Sequence, residues 1–365
     1  MKTVKVLVVD DSAFMRKLIG DFLSEDDRIQ VVGTARNGEE GLRKIKELNP
    51  DAVTMDVEMP VLNGLEALKI IMKTMPVPVV MLSSTTKEGA ENTFTAMEYG
   101  AVDFIAKPSG SISLDLHKIK TELTEKIVLA SSANLKGLVK FSAIGKKTAG
   151  LQQNYSKIEP CQSIQISRSA SISNPNLRKL ICIGTSTGGP RALQKVLCDL
   201  PGNLNAPVLI VQHMPAGFTK SLASRLNGLS DLSVKEAEEG DILQNGTAYI
   251  APGGFHLTTA RSGKDLVVHL DDSPPRNGHR PSVDVMFESL GEISGIQKIA
   301  VIMTGMGADG KNGLMAMKKN GEVKAIAESK ETSIVFGMPR AVIESGLADD
   351  VQNIERIAES ILKFV

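Results

Sequence analysis

Short apolar runs that stop abruptly at polar residues constrain this chain most. In the first 107 residues such runs fall at 4–9, 29–34, 52–55, within 76–82 and at 102–106, with helical periodicity between them, as at 14–23 and 38–48. Runs this uniformly apolar suit strands buried on both faces, the condition of a parallel sheet covered by helices. Strands alternating with helices at this spacing predict a doubly wound α/β sheet, whose working residues stand at the carboxyl ends of strands. Asp10, Asp11, Asp56, Ser83 and Lys107 all follow or end such runs. A further helix is predicted over 114–130.

The same pattern returns in the second half. Runs at 180–183, 207–211, 248–251 and 299–303 predict strands, and 190–199, 217–227, 282–290 and 311–319 predict helices. Between 233 and 270, β-rich runs broken by Gly246, Pro252, Gly253 and Gly254 predict one or two hairpins. From about 131 to 176, Ser, Asn, Gln, Gly and Lys dominate, as in Ser-Arg-Ser-Ala-Ser-Ile-Ser-Asn-Pro, a linker composition. The expected division is a first domain over 1–124, a linker over 125–176 and a second domain over 177–365. The fold class is two doubly wound α/β domains with mainly parallel sheets, joined by a linker.

Composition excludes several functions. Lys plus Arg equals Asp plus Glu at 42 each, so no electrostatic footprint marks a nucleic-acid partner or an anionic membrane. There is no tryptophan to stack on bases. The three cysteines, Cys161, Cys182 and Cys198, fit a reducing compartment better than a disulfide framework. Asp10 and Asp11 interrupt the first apolar run, which argues against a signal peptide, and no stretch approaches the ~18 apolar residues of a bilayer span. The expectation is a cytoplasmic protein without membrane insertion.

Asp10, Asp11 and Asp56, converging at neighbouring strand ends, would suit a hard divalent cation such as Mg²⁺. In that setting Asp56 is the candidate phosphoacceptor, Lys107 a second positive charge at the phosphate, and Ser83 a hydroxyl that turns toward a phosphoryl oxygen. With Lys107-Pro108, Val57-Glu58-Met59-Pro60 and Asn63-Gly64, residues 1–124 resemble the receiver domain of two-component response regulators. The resemblance implies metal ligation by Asp11, Asp56 and the Glu58 carbonyl. It also puts Phe104 at the family's aromatic switch position, where plain core packing is an equal reading.

In the second half, Gly184-Thr185-Ser186-Thr187-Gly188-Gly189 sits between a strand and a helix and fits a nucleophile elbow. Glycine permits the sharp turn, and the helix N-terminus behind Ser186 can stabilise a developing anion. A serine hydroxyl needs a base and an orienting acid. His213 ends the strand 208–212, which should lie beside the Ser186 strand; His279 is its main rival, ahead of His256 and His269. Asp309, in Thr304-Gly305-Met306-Gly307-Ala308-Asp309-Gly310, is a strand-end carboxylate among glycines, with Asp284, Asp241 and Asp271 as alternatives and helix capping as its structural role.

Ile-Gly-x-Ser-Thr-Gly-Gly, Gln-His-Met-Pro and Thr-Gly-Met-Gly-Ala-Asp-Gly behind a receiver domain resemble the chemotaxis protein-glutamate methylesterase (CheB) family. The resemblance spans nearly the whole chain apart from the linker, which is longer than the family leads one to expect. It implies a triad of Ser186, His213 and Asp309, with backbone oxyanion donors at or near Thr187 and Met306. It implies hydrolysis of glutamate methyl esters, and deamidation of glutamines, on chemoreceptor cytoplasmic helices. A chemotaxis histidine kinase would be the phosphodonor, and no cofactor would serve the ester hydrolysis. Thr185 departs from the small residue expected beside the nucleophile. Arg191, Arg225 and Arg280 are candidate contacts for a charged helical substrate. The alternatives are a DNA-binding output, which a neutral, strand-rich second half argues against, a nucleotide site, whose glycine spacing is absent, and a non-enzymatic adaptor.

Overall fold

The structure, a computed structural model, describes residues 3–84, 86–107, 115–135 and 178–365. Pro108, Cys161 and the linker from 136 to 176 lie outside the described residues. The chain divides into two units, Met1–Gln153 and Asn154–Val365.

In the first unit, β1 (Val4–Val9), β2 (Ile29–Ala35), β3 (Ala52–Asp56), β4 (Val79–Ser83) and β5 (Asp103–Ala106) form a sheet in the order β2-β1-β3-β4-β5. Every ladder is parallel. The central strands are buried on both faces, as their unbroken apolar character predicts. Helices α1 (Ala13–Ser24), α2 (Gly38–Leu48), α3 (Gly64–Thr74), α4 (Lys87–Tyr99) and α5 (Asp115–Ala130) cover it. Ser12, Asn37, Asn63 and Thr86 each accept the amide three residues on, so a polar cap starts each of the first four helices just past a strand end. Helix α5 continues past residue 124, and Ile127 and Ala130 are buried with Leu123, so the packed first unit reaches at least Ala130.

The second unit is built on seven parallel strands in the order β14-β13-β12-β6-β7-β9-β8. They are β6 (Arg178–Thr185), β7 (Val208–Gln212), β8 (Ser233–Glu236), β9 (Thr247–Ile250), β12 (Ile296–Ile302), β13 (Val323–Glu328) and β14 (Asp350–Gln352). The region 233–270 holds one hairpin, β10 (His256–Ser262) with β11 (Asp265–Asp271). The other two β-rich runs, β8 and β9, join the main sheet in parallel, because crossovers through the chain bring them to its edge. Six helices flank the sheet: α6 (Gly189–Asp199), α7 (Phe218–Leu229), α8 (Val283–Gly291), α9 (Lys311–Asn320), α10 (Met338–Glu344) and α11 (Ile354–Leu362).

On one face Val283, Met286, Phe287 and Leu290 of α8 pack with Leu314 and Met317 of α9 over Cys182, Ala300 and Ile302. Complete burial of each large side chain contributes about 1.5–3 kcal/mol. From β6 the chain proceeds to β7 on one side and later returns through β12 on the other. The carboxyl ends of β6 and β12 therefore bound a topological switch point, where open α/β sheets leave a crevice.

Candidate active site

Strand register assembles the hydrolytic site. Thr185 pairs with Gln212, so the next residues, Ser186 and His213, leave adjacent strand ends; Gly184 pairs with Ile302, which brings the 303–309 loop to the other side. The His213 amide donates to the Thr185 carbonyl at 3.1 Å, and the Ser186 amide donates to the Thr304 carbonyl at 3.1 Å. Gly305 lies so close that a Cβ there would stand 2.8 Å from the Ser186 Cβ. Ser186 is buried apart from a small exposed fraction, 8%, at the start of α6.

Asp309 and His213 meet at 2.8 Å between Oδ2 and Nε2. Burial alone would raise the Asp309 pKa, but the His213 N–H and the Val283 and Asp284 amides hold the carboxyl far below the usual carboxylate range. Ionised Asp309 accepts, so Nε2 carries the proton and Nδ1 is left with its lone pair. Nδ1 is buried and carries no hydrogen bond among the described residues. Asp309 thus holds the ring nitrogen opposite to the one the acid holds in the chymotrypsin arrangement, and Nδ1 makes no hydrogen bond to Ser186 or to any other described residue.

Asp309 also does what the structural reading of the sequence expected, with a different helix. Its carboxylate accepts from the Ser282 hydroxyl at 2.9 Å and the Val283 amide at 2.7 Å, capping α8 rather than the helix that follows it. The following helix, α9, is capped by Asp284, which accepts the Gly310 and Gly313 amides at 2.9 and 2.7 Å. Each aspartate caps the other's helix, and the Asp284 carboxylate is engaged by α9 amides while Asp309 meets His213. Asp241 pairs with Lys235, and Asp271 caps Ser273; neither reaches His213.

His279 does reach the site. Its ring stacks on His213 with centroids 3.8 Å apart and planes 11° apart, so the rival histidine packs on the ring that meets Asp309 at 2.8 Å. His256 is buried in β10 and His269 pairs with Glu239. Arg280 is turned to the Asp272 and Ser273 carbonyls of its own loop, while Arg191 and Arg225 are half-buried. The Gly305 amide is taken by Val335, whereas no described residue engages the Met306 amide.

Two supporting residues went unread in the sequence. Gln212 Nε2 donates to the carbonyls of Ser186 and His213, both at 3.0 Å, and ties the Ser186 and His213 turns together. Its signal was a polar residue closing an apolar strand. Thr304 links its hydroxyl to the Thr187 carbonyl at 2.9 Å and accepts the Thr185 hydroxyl at 3.2 Å on its own carbonyl. That contact gives the unexpected Thr185 hydroxyl a partner in the buried turn.

In the first unit, one oxygen from each of Asp10, Asp11 and Asp56 lies within 4.8 Å of the others. Lys107 Nζ stands 2.7 Å from Asp56 and 3.1 Å from Asp10. Burial, and next to it the Asp10 charge, lift the Asp56 pKa above the usual carboxylate range against the pull of Lys107. Burial would lower Lys107, but the two carboxylates raise it. This all-oxygen, charge-crowded set fits Mg²⁺, with Asp11 exposed toward a depression also lined by Glu58, Asn63 and Asn92. Gly64 makes the loop possible, because a Cβ there would stand 1.9 Å from the Asp56 carbonyl oxygen. Ser83 donates to the Gly89 carbonyl at 2.8 Å. Phe104 is buried with the Lys126 ammonium over its ring.

Fold and site together define a serine-hydrolase unit carried behind a phosphoacceptor-type receiver unit. The response regulator receiver domain model matches residues 6–117 and the CheB methylesterase model matches 181–361. A protein-glutamate methylesterase/protein-glutamine glutaminase of Geobacillus kaustophilus is 57% identical over all of this chain and 99% of its own length. The Bacillus subtilis protein of that name is 50% identical, over 99% and 98%. A solved Thermotoga maritima CheB methylesterase catalytic domain is 48% identical over 51% of this chain and 98% of its own, with a TM-score of 0.49. This chain belongs to the CheB methylesterase family. No helix among the described residues is long and apolar enough to cross a membrane.

Proposed function

We propose that this protein is a phosphorylation-regulated hydrolase that removes methyl esters from chemoreceptor glutamates and deamidates receptor glutamines. The observation that carries the reading is the 2.8 Å bond between ionised Asp309 and His213 beside Ser186. Ser186 Oγ attacks the side-chain carbonyl carbon, and His213 Nδ1 takes its proton. The Met306 and Thr187 amides, with the α6 N-terminus, receive the developing oxyanion. His213 then protonates the leaving methanol or ammonia. Water, deprotonated by the same nitrogen, attacks the acyl-serine, releasing the glutamate carboxylate and restoring Ser186. Asp309 holds the tautomer and stabilises the imidazolium throughout.

In the receiver unit Asp56 accepts the phosphoryl group, with a chemotaxis histidine kinase as donor. Asp11, Asp56 and the Glu58 carbonyl would hold Mg²⁺, which supplies charge neutralisation at the phosphoryl oxygens. Lys107 adds a fixed positive charge, and Ser83 turns from Gly89 toward the phosphate. Phe104 is the switch residue that responds. The protein acts in the cytoplasm on the helical bundle of the receptor, with a receiver that extends from the expected 1–124 to at least Ala130, a linker from there to about 176, and 177–365 as hydrolase.

The test is methanol release from methylated receptor, with and without Mg²⁺ and a small-molecule phosphodonor. Release stimulated by the donor, abolished by Ser186→Ala and no longer stimulated in Asp56→Asn is expected. Release that persists in Ser186→Ala would overturn the triad.

A further inference from the structure

Glu328 closes strand β13, one strand beyond β12 from the nucleophile. Ala327 pairs with Ile302, so Glu328 is level with Met303 at the carboxyl edge. It is 1% exposed and has no ion-pair partner among the described residues. A buried carboxyl without a cation is costly unless hydrogen bonds satisfy its oxygens. Burial pushes its pKa to about 7, and the charged group that acts on it is another carboxylate, Glu355 of α11.

Both oxygens are used. Oε2 accepts the Thr304 amide at 2.7 Å, and Oε1 accepts the Thr332 hydroxyl at 3.0 Å. Thr304 is the residue through which the two halves of the hydrolytic site are joined. Its carbonyl receives the Ser186 amide, and its hydroxyl donates to the Thr187 carbonyl and accepts the Val335 amide at 3.0 Å. The next residues, Gly305 and Met306, carry the loop past Ser186. With its amide unpaired in a buried site, Thr304 would leave an unsatisfied donor beneath both the nucleophile and the oxyanion loop.

We propose that Glu328 is a positioning residue of the hydrolytic site: as a hydrogen-bond acceptor it fixes Thr304, and through Thr304 the Ser186 turn and the Met306 loop. The acceptor is what matters and not the charge, since glutamine offers the same oxygen to Thr304 and an N–H to the Thr332 hydroxyl. The inference rests on the hydrolase reading above, and one of its tests is independent of it.

The experiment compares full-length wild type, Glu328→Gln, Glu328→Ala and Glu328→Leu. Methanol release from methylated receptor is measured as kcat and KM, and amide hydrogen exchange is followed over 303–307. Glu328→Gln should keep kcat within about threefold of wild type. Glu328→Ala, or Glu328→Leu should the alanine variant fail to fold, should lose about tenfold to a hundredfold in kcat with KM within twofold, the scale of a misplaced reacting group. Exchange over 303–307 should quicken in the apolar variants and stay at the wild-type rate in Glu328→Gln. A folded apolar variant with wild-type kcat and exchange would overturn the proposal, and so would a glutamine variant as impaired as alanine. If wild type shows no Ser186-dependent release, the hydrolase reading fails, and the exchange data still decide whether Glu328 holds Thr304.

Discussion

Two carboxyl edges of two parallel sheets solve opposite electrostatic problems in this chain. At the receiver edge, three carboxylates and Lys107 crowd together, and burial with like charge lifts Asp56 above its ordinary pKa. The charges of such a site do not cancel, which suits it to an added cation. At the hydrolase edge, ionised Asp309 is satisfied by His213, a hydroxyl and two helix-end amides. The charge of that site is satisfied from within, and in the proposed function it meets further charge only during the reaction. One edge is built to be changed by chemistry and the other to perform it.

The largest test of this contrast is Ser186→Ala, which should lower hydrolysis about a millionfold, as loss of a triad serine does, while leaving phosphate incorporation into the receiver intact. Asp56→Asn should do the reverse. Incorporation from a small-molecule phosphodonor with Mg²⁺ should vanish, while basal methanol release remains. Asp309→Asn should cost about 10⁴-fold in kcat through the wrong imidazole tautomer. Its thermal midpoint should fall too, since the α8 cap loses a charged acceptor.

Glu328→Gln separates charge from hydrogen bonding. The folded pKa, about 7, lies above the ordinary 4.5, so the folded form holds the proton more tightly than the unfolded chain. Stability from this group is full below about pH 4.5 and declines as pH rises through 7. Denaturant titration should therefore find the glutamine variant more stable than wild type by about 3 kcal/mol at pH 8 and equal to it at pH 4. The smallest effect is local: Asn63→Ala removes the α3 cap and should cost the receiver unit about 1 kcal/mol.

Much of this was legible in the chain because strand ends are legible. Uniform apolar runs marked the buried parallel strands, and the polar residues that follow them, Asp56, Lys107, Ser186, His213 and Asp309, proved to lie at two shared edges. The run at 248–251 is a strand as read and 233–270 holds one of the one or two hairpins expected; what stayed open was pairing, since a short β-rich segment such as β8 carries no mark of whether its neighbour is the next strand or a distant one. Asp284 illustrates the same limit. It is an aspartate like Asp309, yet register and helix placement give it the α9 cap and give Asp309 the histidine.

By itself, then, the sequence determined two parallel α/β units, the glycines that let the Ser186 and Asp56 loops turn tightly, and the residue types at both edges. Residue type and period are local properties, and burial acts on them directly. Tertiary structure alone decided that Nε2 of His213 faces Asp309, that His279 stacks on its ring, and that Gln212 and Thr304 hold the Ser186 turn while Glu328 holds Thr304, from three different strand ends. Those are distances between residues tens to more than a hundred positions apart, set by strand order and register, which no local pattern encodes.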